Sequence, residues 1–209
     1  METILQQALA ERGYKIATRP FELNIIGIRA NTSIPNIFND SLNVLFTDSS
    51  GKATAYTWMA TTDPGTYWLQ NPLNEYGTAI LKPGQYHGSH ALGMHRGAYL
   101  ALVQTGPVTV VRDFNRDGKA DYHTGRQETG LFGINIHRAQ VSGLTKTIDR
   151  YSAGCQVFAN AEDFAVLLQL AERHKNLYGN SFTYTLLSGL PDGSIPVFDS
   201  FGKFITKKK

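Results

Sequence analysis

The spacing of hydrophobic residues changes early in the chain, from a helical pattern to a strand-like one. Between Thr3 and Glu11 the apolar residues recur on one helical face, which predicts a short amphipathic helix capped by Thr3 and ended by Gly13. From Phe21 to Tyr122 the apolar residues form short or alternating runs separated by turn sequences. These runs predict a chain built mainly from β-strands.

Individual strands can be placed in this region. Leu23–Ile28 and Leu42–Phe46 are the clearest of them. Tyr99–Gln104 and Val108–Arg112 flank a Thr-Gly-Pro turn, and we expect them to pair as a hairpin. Leu131–His137 is predicted as a further apolar strand.

One long helix is predicted after the single cysteine. Asn160 is a suitable N-cap, and the acidic residues that follow it complement the helix dipole. Gly179 ends the helix, and the strand Phe182–Leu187 follows. The predicted buried stripe consists of Phe164, Leu167, Leu168 and Ala171.

Together these elements predict an α+β fold that is predominantly β, with a short N-terminal helix and one main helix. We expect a single domain over residues 1–209, because no segment rich in Pro, Gly or Ser divides the chain. Within it we distinguish a helical extension (1–20), a β-rich domain (21–200) and a basic tail (201–209).

The charge balance argues against a nucleic-acid-binding protein. The chain has 20 Lys and Arg against 17 Asp and Glu, but four of the lysines lie in the basic tail, and without them acidic residues are in slight excess. No apolar run approaches the length of a membrane span. The first residues lack the pattern of a Sec signal, so we expect synthesis in the cytoplasm without one and no membrane insertion.

The candidate chemistry centres on Cys155, the only cysteine. A cysteine nucleophile needs a base, and His137 lies at the end of a predicted strand, separated from Ser152 by fourteen residues. Gly154 allows a sharp turn, and the amides of Gly154 and Cys155 are candidates for an oxyanion hole. The Ser152 hydroxyl either orients His137 or binds substrate, or it satisfies its own turn.

This arrangement resembles the catalytic signature of the L,D-transpeptidase (YkuD-type) family: a histidine, about fourteen to seventeen residues, then Ser or Thr, His, Gly and Cys. The matching residues are His137, Ser152, Gly154 and Cys155, within residues 131–158. The resemblance implies a β-sandwich core with the main helix after the cysteine. It also implies a thioester acyl-enzyme formed on peptidoglycan stem peptides, with no cofactor.

The sequence departs from the family pattern at two places. The second histidine of the signature is Ala153 here, and no Asn or Arg occurs at Gln156, Val157 or Phe158. We therefore expect a divergent member. We expect water, giving carboxypeptidase or endopeptidase activity, to resolve the thioester rather than an amine. Without an export signal or a wall-binding repeat, this suits a phage-type lysin, a delivered toxin or a cytoplasmic enzyme trimming murein fragments.

An acidic loop precedes the His137 strand. Asp113, Asn115, Asp117 and Asp121 place side-chain oxygens at alternate positions around a glycine, as calcium loops do. The twelfth position is Thr124 instead of Glu, and no helices are predicted to flank the loop. A structural calcium ion and an acidic β-turn are the two interpretations, and the turn is favoured.

Other histidines offer further candidates. His87, His90 and His95 lie within nine residues, but their spacing fits no standard zinc signature. His95 or Arg96 is a candidate for the cleft, replacing the missing histidine or pairing with a substrate carboxylate. His123 and His174 are predicted to lie on the surface.

Two alternatives from other functional classes remain open at this point. One is a non-catalytic β-rich module, such as a virion component, with an inert Cys155. The other is a metal-dependent hydrolase that uses the histidines between His87 and His95. Chelation would inactivate the metal enzyme, and Cys155→Ala would inactivate the thiol enzyme.

Overall fold

The computed structural model of the protein describes residues 1–30 and 34–208. In chain order its elements are α1 (Glu2–Glu11), β1 (Asn24–Arg29), β2 (Asp40–Thr47), β3 (Ala53–Thr61), α2 (Thr66–Gln70), β4 (Thr78–Leu81), β5 (Gly84–His95), β6 (Tyr99–Gln104), β7 (Val108–Asp113), β8 (Gln127–Gly130), β9 (Ile136–Arg138), β10 (Gln156–Phe158), α3 (Ala161–Tyr178), β11 (Phe182–Ser188), β12 (Ile195–Phe198) and β13 (Phe204–Lys208). The predicted α+β fold, mainly β, is confirmed.

The main sheet closes into a barrel with the strand order β1-β11-β5-β6-β9-β10-β3-β2. The pairs β1–β11 and β9–β10 are parallel, and the other neighbours in the barrel are antiparallel. A three-stranded sheet, β4-β7-β8, and a two-stranded sheet, β12-β13, complete the strands. The expected β-sandwich is therefore corrected: the main sheet closes on itself instead of forming two open layers.

One hydrophobic core joins the barrel, the three-stranded sheet and α3. Phe158 and Tyr184 from the barrel, Val110 from β7, and Phe164 and Leu167 from α3 belong to the same buried cluster. A second cluster forms where α1 packs against β1 and β2. Burial of these apolar faces, at roughly 25 cal/mol per Å², is the main stabilising contribution.

The main helix begins and ends where the sequence predicts. The Asn160 side-chain oxygen accepts hydrogen bonds from the amides of Glu162 (2.8 Å) and Asp163 (3.4 Å). Gly179, with φ +95°, follows the last helical residue. His174 corrects one expectation: it is buried, and its Nδ1 accepts a hydrogen bond from the amide of Leu23 (3.0 Å) instead of facing solvent.

The N-terminal helix is present, but its predicted cap is wrong. The helix already begins at Glu2, with Met1 at the N-cap position and no side-chain capping hydrogen bond. Thr3 therefore lies inside the first turn. Leu5, Ala8 and Leu9 are buried, in agreement with an amphipathic helix.

The predicted hairpin between β6 and β7 does not form. Both strands are present, but β6 pairs with β5 and β9, and β7 pairs with β4 and β8. The amides of Thr105 (2.8 Å) and Gly106 (3.1 Å) both donate to the carbonyl oxygen of Ser89. These bonds turn the chain at the end of β6 from the barrel into the three-stranded sheet.

The predicted strand Leu131–His137 is mostly wrong. Only Ile136–Arg138 is extended and paired. Gly133 has φ +73°, and the amides of Phe132 (3.0 Å) and Ile134 (2.9 Å) both donate to the side-chain oxygen of Gln104. The segment before β9 is thus a loop held by one glutamine.

The other predicted strands are confirmed. β1, β2 and β11 lie on the predicted segments with shifts of a residue or two at their ends. In the described part of the basic tail, Phe204–Lys208 forms β13 and pairs with β12. None of the helices in residues 1–30 and 34–208 has the length and apolar character needed to cross a membrane.

Candidate active site

Parallel pairing of two short strands brings the predicted nucleophile and base to one place. Gln156 is opposite Ile136, Val157 is opposite His137, and the Gln156 amide donates to the carbonyl of Asn135 (2.9 Å). Alternate residues of a strand share a face. Cys155 and His137 therefore lie on the same face of this pair, and both line a cleft of about 530 Å³.

The turn that carries Cys155 requires a glycine before it. Gly154 has φ +122°, and a Cβ at this position would lie 2.2 Å from the carbonyl oxygen of Ala79. Ser152 is fully buried, and its Oγ donates to the carbonyl of Cys155 (2.8 Å) and accepts from the amide of Gly154 (3.2 Å). Ser152 thus shapes its own turn, and the Gly154 amide, expected in the oxyanion hole, is already engaged.

The Cys155 side chain is half-buried, and its Sγ donates to the carbonyl of Gly133 at 3.3 Å. Burial raises the pKa of the thiol, while the amide of Asn135 and the charge of Arg96 oppose that rise. The thiol is therefore protonated at neutral pH. Proton removal must accompany attack on a substrate.

His137 is buried and neutral. Burial lowers the pKa of its imidazole to about 3, and the charges of Arg96 and Arg138 add to that effect. Its Nδ1 lies 2.8 Å from the carbonyl oxygen of Arg138, which can only accept, so Nδ1 carries the proton and Nε2 the lone pair. The Tyr99 hydroxyl also lies 3.2 Å from Nδ1. Among the described residues nothing is hydrogen-bonded to Nε2, and the Cys155 thiol is bonded to the Gly133 carbonyl instead. A neutral imidazole of this kind can act as a base toward the thiol once the thiol turns to meet it.

His95 and Arg96 reach the same cleft from the turn between β5 and β6. His95 is buried, and its ring stacks on that of His137 with centroids 4.2 Å apart and planes at 23°. Arg96 is exposed and adopts φ +51° in the turn. Arg112 also lines the cleft but is paired with Glu128 at 3.0 Å. Among the described residues, no acidic side chain lines this cleft.

Three further residues organise the site and were missed in the sequence. Asn135 donates to His95 Nδ1 (3.0 Å), Tyr99 contacts His137, and Gln104 holds the loop around Gly133. Asn135 could have been found, because it lies two residues before His137 and so shares its face. Tyr99 and Gln104 lie at the two ends of β6 and are near the site only because β6 pairs with β9 in the barrel. No local sequence pattern indicates either residue.

The acidic loop uses one oxygen from each of four side chains on its own backbone, whereas Asp113 Oδ1 is buried and has no hydrogen-bond partner among the described residues. Amides of the loop donate to Asp113 Oδ2 (2.9 Å), Asn115 Oδ1 (3.1 Å), Asp117 Oδ1 (2.8 Å) and Asp121 Oδ1 (3.2 Å). Glu128 instead pairs with Arg112 and Arg126. In the described part of the chain, no group of three or more His, Cys, Asp and Glu is arranged to hold a metal ion. The calcium ion stays a prediction, and the bonded oxygens support the acidic turn.

The other histidines do not converge. His90 is fully buried, with Nε2 2.8 Å from the carbonyl oxygen of Ile134, and burial lowers the pKa of its ring to about 4. His87 is exposed on the same strand, and His95 bonds to Asn135. Each imidazole therefore has its own environment, which argues against the zinc interpretation. His123 is exposed, as predicted.

No family model matches the chain, and no curated protein or solved structure matches it either. The site contains a neutral thiol and a neutral imidazole in one cleft, with Arg96, which forms no ion pair within residues 1–30 and 34–208, at its edge.

Proposed function

We propose that the protein is a peptidoglycan-active cysteine enzyme of the L,D-transpeptidase type, with an L,D-transpeptidase-like β-rich core. One observation carries the proposal: Cys155 directly precedes β10, which pairs in parallel with the strand that holds His137, and both side chains line one cleft. Their spacing in the sequence is the one by which the chain resembles that family.

In the first step His137 removes the thiol proton of Cys155. Nε2 accepts that proton as Sγ attacks the carbonyl carbon of a bond between an L-centre and a D-amino acid. The Arg138 carbonyl, bonded to Nδ1, stabilises the imidazolium that forms. The tetrahedral intermediate then collapses, the amine leaves with the proton from Nε2, and a thioester remains on Cys155.

In the second step water attacks the thioester, and His137 accepts a proton from it. The rim of the cleft includes the largely exposed side chains of Leu73 and Leu131. Because that rim is open, water can reach the acyl group, as the proposed hydrolysis requires. The second tetrahedral intermediate breaks its carbon–sulfur bond, His137 returns the proton to Sγ, and the products are a trimmed or cleaved stem peptide and the free thiol.

Charge at the cleft supports an anionic substrate. Arg96 is exposed at the rim and forms no ion pair with the described residues, and Arg112 lies deeper. A guanidinium pairs well with a carboxylate. Stem peptides carry carboxylates, so we propose that His95 and Arg96 face the bound substrate.

The test is incubation of wild type and Cys155→Ala with purified muropeptides, followed by mass spectrometry. The wild type should release a D-residue or cut cross-links, and Cys155→Ala should do neither. Unchanged muropeptides with the wild type, across several stem types, would overturn the proposal.

One observation favours a second candidate, a non-catalytic β-rich module with an inert cysteine. Burial raises the pKa of Cys155, and its thiol is bonded to a backbone carbonyl. An inert cysteine would react slowly with iodoacetamide in the native protein and at the ordinary rate after unfolding. Rapid native alkylation that depends on His137 would exclude this candidate.

A further inference from the structure

The hydrogen bonds around His95 fix which of its ring nitrogens carries the proton. The amide of Gln104 donates to Asn135 Oδ1 (2.8 Å), which sets the orientation of the Asn135 side chain. The other end of that side chain, Nδ2, can only donate, and it lies 3.0 Å from His95 Nδ1. His95 Nδ1 therefore accepts, and in the neutral ring the proton is on Nε2.

The two stacked imidazoles are thus held in opposite tautomers. His137 donates from Nδ1 to a carbonyl and keeps a lone pair on Nε2, whereas His95 accepts at Nδ1 and keeps a proton on Nε2. Both rings line the cleft that contains Cys155. One ring can therefore accept a proton, and its neighbour can donate a hydrogen bond.

The site also needs a hydrogen-bond donor. Attack on a carbonyl places negative charge on its oxygen, and enzymes stabilise that charge with positioned donors. Of the two amides expected there, that of Gly154 donates to Ser152 instead, so the Cys155 amide is the other candidate and a second donor is needed. By contrast, no group among residues 1–30 and 34–208 accepts a hydrogen bond from His95 Nε2.

We propose that His95 is a catalytic residue whose Nε2–H donates a hydrogen bond to the carbonyl oxygen of the substrate at Cys155. This inference rests on the proposed function. As the bond from Sγ to carbon forms, the carbonyl electron pair moves to oxygen, and the proton of His95 stays on nitrogen. Asn135 is a positioning residue, because its amide holds the tautomer of His95.

Burial supports a neutral His95. It lowers the pKa of the His95 ring, and the charge of Arg96 lowers it further. A neutral ring donates from one nitrogen only, so its tautomer decides whether the substrate meets a donor or an acceptor.

The experiment compares two reactions of Cys155 in wild type, His95→Leu and His95→Gln. Acylation by p-nitrophenyl acetate forms an oxyanion, whereas alkylation by iodoacetamide forms none. Since one oxyanion donor contributes about 10²–10³-fold, we expect His95→Leu to slow acylation by that factor and alkylation much less. His95→Gln keeps an N–H donor and should recover part of the loss.

Nitrogen NMR of ¹⁵N-histidine-labelled wild type supplies a readout independent of activity, with the proton of His95 expected on Nε2. A proton on Nδ1, or equal losses of acylation and alkylation in His95→Leu, would overturn the inference. If acylation is slowed in His95→Leu as predicted but the wild type leaves muropeptides intact, the role of His95 as a hydrogen-bond donor is supported and the proposed substrate is rejected. A wild-type thiol that is never acylated would reject both.

Discussion

Gly154→Ala perturbs the turn that carries Cys155 without touching a polar side chain. The added Cβ would lie 2.2 Å from the carbonyl oxygen of Ala79, whereas a carbon usually stays roughly 3.3 Å from such an oxygen. The turn or β4 must therefore move by about 1 Å. The φ of +122° adds a conformational penalty for any residue with a Cβ.

The expected destabilisation is the sum of two costs. A positive φ costs an L-residue about 1–2 kcal/mol, and forced overpacking costs about 1–3 kcal/mol. Together they give about 4 kcal/mol, or a fall in Tm of about 12 °C for a chain of this size. Gly143→Ala is the matched control, because Gly143 has φ +72° but nothing within 4 Å of its Cβ position. This control should lose only about 3 °C.

Thermal unfolding followed by circular dichroism measures both changes, and the rate of Cys155 alkylation reports the position of the thiol. We expect Gly154→Ala to alter that rate and Gly143→Ala to leave it unchanged. Equal losses of Tm in the two variants would refute the close approach of Gly154 to Ala79.

The remaining predictions concern stability. Asn160→Ala removes two capping bonds and should lower the free energy of unfolding by about 1 kcal/mol in denaturant titrations. The control Asn176→Ala, on the same helix, should change that free energy by about zero. Gln104→Leu frees the loop before β9 and should cost about 2 kcal/mol by the same assay; a neutral result would contradict the role of Gln104. Burial lowers the pKa of His90 to about 4 and that of His137 to about 3. The free energy of unfolding should therefore be retained above pH 6.5 and fall as the pH drops below it. At pH 5 we expect each of the two histidines to cost about 2 kcal/mol. A Tm unchanged between pH 7 and pH 5 would contradict this. Because Asp113, Asn115 and Asp117 each already bind a backbone amide of the acidic loop, calcium should leave Tm unchanged. A rise in Tm that a chelator reverses would restore the calcium interpretation.

Local signals predicted the elements that depend on local interactions. The bounds of α3 follow from Asn160 as a cap, an apolar stripe and Gly179, all of which act within the helix itself. The turn between β6 and β7 also looked local. It failed as a hairpin signal because the carbonyl of Ser89, far back in the chain, accepts both turn amides.

The residues of the candidate site could be named from the sequence, but their arrangement in space could not. His137 and Cys155 stand out by residue type and spacing, but their common face depends on the parallel pairing of β9 with β10. The tautomer of His95 depends on Asn135 and Gln104, which reach it from two other parts of the barrel. No local pattern encodes those contacts.

The most direct test of the account is to trap the thioester. After brief incubation with muropeptides and acid quenching, intact-mass and peptide-mapping mass spectrometry should find a stem-peptide acyl group on Cys155 of the wild type. His137→Ala and Cys155→Ala should carry none. Muropeptide cleavage that survives in Cys155→Ala, or an acyl group attached at any other residue, would contradict the account.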